Sequence, residues 1–247
     1  MTIQDETITA WGTRRVEAVG GNVTISQVLC ELLESLGVEQ AFAIVGGGNA
    51  PFAEALLKSP IELIHARHEG GAAFAATEAS MVSGRPTAVT VTTGPGLLNA
   101  LTGICGARWD GAKVILFSGI SSFAHKGLGA VQETSSYTMP SEGLFRAGPF
   151  FDFAVELNDS EELPEIARRL AIGCQRPGGF VAHIALPLRL QTTLIPARGA
   201  KPASRLLTTG GDPAAARTCA NRLNEGHFAV WVGHGARHAS EPLRELV

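Results

Sequence analysis

The chain has 247 residues, with 20 Lys+Arg against 23 Asp+Glu, a formal net charge of −3 and 45% hydrophobic residues. That balance, without basic runs, argues against nucleic acid as the main partner, and the apolar fraction excludes a disordered chain. The length allows one large domain or one and a half smaller ones, and the 29 glycines are the compositional excess.

Residues 1–21 form a polar lead that lacks the apolar core of a signal peptide. Ile25, Val28, Leu29, Leu32, Leu33 and Leu36 then recur at helical spacing, with Thr24 or Ser26 to cap the start and Gly37 to stop the end. Residues 40–45 read as a strand running into Gly46-Gly47-Gly48, and 49–58 as a helix with Pro51 in its first turn. A strand at 61–66 precedes an alanine-rich helix at 69–82, which Gly84-Arg85-Pro86 ends. Residues 87–93 are β-branched and apolar, as in a strand covered on both faces.

Gly94-Pro95-Gly96 breaks that strand, a helix follows over 97–108, and 114–117 is another buried strand. Residues 120–150 lack periodicity and read as a long loop, which inside a compact domain is usually functional. Strand, helix and strand return at 153–157, 161–174 and 180–185. The alternation predicts an α/β fold with a mostly parallel sheet flanked by helices on both faces, over 22–187. Residues 188–206 read as a linker. A helix at 212–224 and a strand at 228–232 read as the truncated start of a second α/β unit over 207–247. No apolar run reaches the ~18 residues of a membrane span. Cys30, Cys105, Cys174 and Cys219 show no CxxC or metal-ligand spacing, so they read as small core hydrophobes in a reduced, cytoplasmic protein without a metal site of its own.

Three stretches stand out as candidate chemistry. In Arg67-His68-Glu69-Gly70-Gly71-Ala72-Ala73, Glu69 opens a helix; it either complements the helix dipole or, with small neighbours offering it few partners, meets a buried ligand nitrogen. Thr92-Thr93-Gly94-Pro95-Gly96 is a tight turn that can let a ligand approach the backbone. Val45-Gly46-Gly47-Gly48-Asn49-Ala50-Pro51 superficially matches a dinucleotide fingerprint, but no acidic residue follows the next strand in the ribose-binding role. His125 and Lys126 read either as contacts to a substrate carboxylate or as a solvated loop tip.

The order VGGGNAPF, RHEGGAAFAATEASMVSGRP, VTTGPGLLNALTGICGARWDGAKVILFSG resembles the pyrimidine-binding domain of thiamine-diphosphate enzymes, most closely the acetolactate synthase-like group. Val131-Gln132-Glu133 resembles that group's FQE, RPGGFVAHIALPLRLQ its closing strand and exit linker, and FAVWVGHGARHASEPLREL the start of its central domain, so the resemblance covers 22–247. Val45, Gly70 and Val131 stand where relatives usually carry proline, glutamine and phenylalanine.

The resemblance implies that Glu69 hydrogen-bonds N1′ of the aminopyrimidine and favours the imino tautomer, leading to the C2 ylid that attacks a 2-oxo acid. It implies that Gly46, Gly47, Thr93, Gly94, Pro95 and Asn99 surround thiamine diphosphate and that Gln132 approaches the reacting centre. Mg²⁺ and the diphosphate would be held mainly by a domain absent from this chain; Gly210-Gly211-Asp212 lacks the context of that metal motif. The implied activity is a carboligase or decarboxylase, inactive without that domain. The implied assembly is a homo-oligomer (dimer or tetramer) or a pairing with a separate diphosphate-domain subunit. The alternative is a catalytically silent binding or regulatory partner.

Overall fold

The computed structural model describes residues 21–136, 138–139, 143–197, 212–237 and 239–246. Strand β1 (Asn22–Thr24) leads straight into helix α1 (Ile25–Ser35). Thr24 and Gln27 cap each other there, the Gln27 N–H donating to the Thr24 hydroxyl at 3.2 Å and the Thr24 N–H to Gln27 Oε1 at 2.7 Å. The chain continues through β2 (Gln40–Ala43), α2 (Ala50–Lys58), β3 (Glu62–His65), α3 (Glu69–Ser83) and β4 (Thr87–Val91). It goes on through α4 (Pro95–Asp110), β5 (Lys113–Ile120), β6 (Phe153–Glu156), α5 (Leu163–Gln175) and β7 (Phe180–Pro187). A short helix α6 (Leu188–Gln191), β8 (Leu194–Pro196), α7 (Pro213–Asn224) and α8 (Ser240–Leu246) follow.

Six strands form one wholly parallel sheet in the order β3-β2-β4-β5-β7-β6. Alternation along each strand separates two apolar layers. In β5, Ile115 and Phe117 pack with residues of α1, α2 and α5, whereas Val114 and Leu116 pack with α3 and α4. Helices α3 and α4 lie close because Gly103 has no side chain: a Cβ there would stand 2.6 Å from that of Ala73. The α/β fold expected from the alternation, with helices on both faces, is the one observed.

Three expectations are corrected. Part of the expected linker, Leu194–Pro196, is strand β8, antiparallel to β1 (Asn22–Thr24), where no strand was expected; Val23 lies opposite Ile195. Residues 228–232 form no strand. A strand needs a ladder partner for its N–H and C=O groups, none is described beside this run, and Trp231 and Val232 stay exposed. Cys105 of α4 and Cys219 of α7 are exposed, whereas Cys30 and Cys174 are buried core residues. Gly210 and Gly211 lie outside the described residues; Asp212 accepts the Ala214 N–H at 2.9 Å as the N-cap of α7.

Gln191 ties the end of the sheet unit to its beginning. Its buried amide donates to Gly48 O at 2.7 Å and accepts the Phe52 N–H at 3.3 Å, while its own carbonyl takes the Ser26 hydroxyl at 2.8 Å. Gln191→Leu strands a carbonyl and a first-turn N–H, so we expect a loss of about 2–3 kcal/mol, read as a lower urea midpoint with unchanged slope.

His183, fully buried between Phe145 and Phe151, donates from Nδ1 to Leu144 O at 2.6 Å and accepts the Ser118 hydroxyl at Nε2, 2.8 Å away. Burial pushes its imidazole down from 6.5 to about 4, with the Leu144 bond opposing. The unfolded chain therefore binds the proton first. Stability is full above about pH 6.5 and is lost as pH falls toward 4, by about 3 kcal/mol in all. Urea midpoints measured between pH 7 and 4 should show this slope in the unsubstituted chain and lack it in His183→Asn.

Candidate functional site

Strand β2 lies between β3 and β4, and the chain leaves β2 toward α2 on one face but leaves β4 toward α4 on the other. Such a divergence opens a crevice beyond the carboxyl ends of the strands. Both glycine-rich turns fall there. Asn49 folds the first: its Oδ1 accepts the Gly46 N–H at 2.8 Å, and its amide donates to Ile44 O and Thr90 Oγ1 at 3.1 and 3.0 Å. The turn then lies flat on the second one. A Cβ at Gly46 would meet Thr92 Oγ1 at 2.7 Å, and one at Gly48 would meet Thr93 Cγ2 at 2.6 Å.

A cavity of about 410 Å³ lies over these turns, lined by Gly47, Gly48, Thr92, Thr93, Gln132 and His125 among others. Gln132 arrives on the loop after β5 with φ +52°, a left-handed backbone found at no other non-glycine residue among those described. Gly94, at φ +71° and ψ −122°, makes room for it, since a Cβ there would stand 2.6 Å from Gln132 Cβ.

Glu69 starts α3, behind His68, whose Nδ1 accepts the Gly70 N–H at 3.1 Å as N-cap. The Glu69 carboxylate is half-buried. Its Oε2 takes the Asn99 amide of α4 at 3.1 Å, and its Oε1 lies 3.6 Å from where a Gly96 Cβ would be. The expectation that small neighbours leave Glu69 few partners missed Asn99. Asn99 reaches it because Pro95 and Gly96 start α4 immediately beside α3.

The expected site residues thus fall into two groups sharing one wall. Gly47, Thr93 and Gln132 line the cavity, with Gly46 and Gly94 packed directly beneath it; Glu69 and Asn99 pair on the α3–α4 side, and the turn 92–96 with Pro95 separates the groups. Lys126 is not a solvated loop tip: its side chain is largely buried in an ion pair with Glu156. His125 does line the cavity. Sequence reading missed Asn49, His68, Gln191 and Glu156. The Asn three residues after Gly46 was a legible turn signal; the others depend on contacts distant in sequence or on capping by a histidine.

A doubly wound sheet with glycine turns gathered at its switch point defines an α/β domain of the ligand-binding class. Residues 23–139 match the family described as thiamine pyrophosphate enzyme, N-terminal TPP binding domain. The chain is similar to the catabolic acetolactate synthase of Raoultella terrigena, 32% identical over 199 residues, which is 79% of this chain and 33% of that protein. It is also similar to a probable 2-ketoarginine decarboxylase of Pseudomonas aeruginosa, 34% identical over 170 residues, 67% of this chain and 29% of that protein. The crystal structure of benzoylformate decarboxylase from Polynucleobacter necessarius shares the fold, with a TM-score of 0.68 at 22% identity over 83% of this chain and 37% of that one. The chain carries the N-terminal domain of the thiamine pyrophosphate enzymes and belongs to their acetolactate synthase-like group. It spans about a third or less of the length of these curated relatives. Among the described residues no helix is long and apolar enough to cross a membrane.

Proposed function

We propose that this chain is the pyrimidine-side part of a cytoplasmic thiamine-diphosphate-dependent carboligase or decarboxylase acting on a 2-oxo acid. The observation that carries the reading is the Glu69 carboxylate, held through one oxygen by Asn99 and with no other hydrogen bond among the described residues, beside a turn that only small residues can form. Such a carboxylate accepts a hydrogen bond from a ring nitrogen and can hold its proton there. Gly47 suits the approach of a flat heteroaromatic ring, because nothing stands within 4 Å of where its Cβ would be and it lines the cavity. Thiamine diphosphate, when bound, supplies the nucleophilic carbon and the electron sink that decarboxylation of a 2-oxo acid requires.

In this reading Glu69 controls the protonation of the ring, and Thr93, Gly94, Pro95 and Asn99 shape its surroundings. Gly46 and Gly47 let it approach the backbone, and Gln132 faces the substrate. Mg²⁺ and the diphosphate are assigned to a further domain, in the same or another subunit. Phe74, Val82, Leu98 and Trp109, exposed on the outer faces of α3 and α4, supply an apolar face suited to that assembly. The test is consumption of 2-oxo acids, from pyruvate to longer and aromatic ones, by the full protein with and without thiamine diphosphate and Mg²⁺. Cofactor-dependent consumption is expected. Cofactor binding with no consumption of any of them would favour the catalytically silent partner instead.

A further inference from the structure

The part of the loop after β5 that carries Gln132 has little apolar packing to hold it. Leu128 and Val131, its large apolar side chains around Gln132, are 75% and 87% exposed. Yet Gln132 keeps a left-handed backbone, which an L-residue retains only where its surroundings over-determine it. What fixes it is polar. Lys126 and Glu156 form an ion pair whose side chains are only 11% and 8% exposed. The Ser136 hydroxyl donates to Glu156 Oε2 at 2.7 Å. Glu156, the last residue of β6, therefore holds both ends of the segment 126–136.

Inside the segment, the Gly127 N–H donates to Glu133 Oε1 at 2.7 Å, the Glu133 N–H to Ala130 O at 3.2 Å, and the Thr134 hydroxyl to Gln132 O at 3.2 Å. The result is a closed polar ring with Gln132 at its tip, pressed on Gly94 and facing the cavity.

We infer that Lys126 and Glu156 are positioning residues: a buried ionic clamp that holds Gln132 at the crevice without touching ligand. The inference rests on the cofactor-site reading for its kinetic consequence, but not for its structural one. A carboxylate this buried is poorly solvated, so removing Lys126 leaves a charge that must find water, and the segment opens to supply it. Removing the charge of Glu156 releases Lys126 to solvent with the same effect. Because β6 is the edge strand of the sheet, the release should leave β4 and β5 undisturbed.

The experiment is amide hydrogen exchange, followed by mass spectrometry, on the full protein without cofactor, in Glu156→Gln, Lys126→Met and Ser136→Ala. Exchange over 126–136 is expected to quicken at least 10-fold in the first two variants and less in the third, with β4 and β5 unchanged. Ser136→Ala removes one tie without stranding a charge, and so remains informative if a charge variant folds poorly. The kinetic arm compares Glu156→Gln, Gln132→Ala and the double variant. If the clamp acts through Gln132, the double variant loses no more kcat/KM than Gln132→Ala alone. Unchanged exchange in the segment, or losses that multiply in the double variant, would overturn the inference. A failure of the cofactor reading shows separately, as no thiamine-diphosphate dependence in the unsubstituted protein.

Discussion

Glu69→Gln should lower thiamine-diphosphate-dependent turnover by about 10²- to 10⁴-fold while leaving the fold intact, the range expected when a positioned acid–base group is removed. The amide matches the carboxylate in shape, and its oxygen can still accept the Asn99 side chain that now bonds Oε2 at 3.1 Å. It cannot hold a proton shared with a ring nitrogen, since a neutral amide has no anionic oxygen to take it. Glu69 is half-buried at a helix start, so the melting temperature should shift little. The measurement is kcat together with the rate at which the cofactor's C2 proton exchanges with deuterium. Equal exchange rates in the two proteins would remove Glu69 from the chemistry.

Gly119→Ala should be among the most costly single-methyl additions in the chain. Its Cβ would stand 2.3 Å from Gly48 O and 2.6 Å from Gly48 C, contacts with backbone rather than with a side chain that can swing aside. Nor can Gly48 retreat freely, because its carbonyl is bonded to the Gln191 amide and its N–H to Thr92 Oγ1 at 3.3 Å. Overpacking of this kind costs about 3 kcal/mol, read as a lower urea midpoint. Gly47→Ala is the control. A Cβ there meets nothing within 4 Å, so stability should change by no more than about 0.5 kcal/mol. A weaker apparent affinity for thiamine diphosphate in Gly47→Ala would then report close approach of a ligand rather than damage to the fold. Equal destabilisation by the two substitutions would refute the packing argument.

Much of the fold was legible because its signals are local. The Thr24 cap, Pro51 at a helix start and Gly84 at a left-handed helix end each act within a turn of chain. The core strands are short apolar runs, and their alternation with helices was enough to give a parallel sheet. What could not be read is non-local. The β1–β8 pairing joins three-residue strands at opposite ends of the unit, too short to show a period. Conversely, 228–232 has a strand-like sequence but no partner among the described residues, and sequence pattern alone does not supply one. In the site, the glycine turns and Glu69 were visible as motifs. Asn99 as the partner of Glu69, and Glu156 as the partner of Lys126, were not, because each pair spans about thirty residues and is set by how neighbouring elements pack.

The strand order has a consequence for how such a site can diversify. Glu69 follows one border strand, β3, and Glu156 ends the other, β6, with four strands between them. At the usual strand spacing the two border strands lie about 24 Å apart, while the Glu69 carboxylate itself reaches across to Asn99 at the start of α4. Substitutions near β6 can re-aim the loop that carries Gln132 without disturbing the carboxylate beyond β3. The loop and the carboxylate are thus anchored at opposite borders of the sheet and meet at the turn 92–96, where Gln132 rests on Gly94 and Glu69 lies beside Gly96.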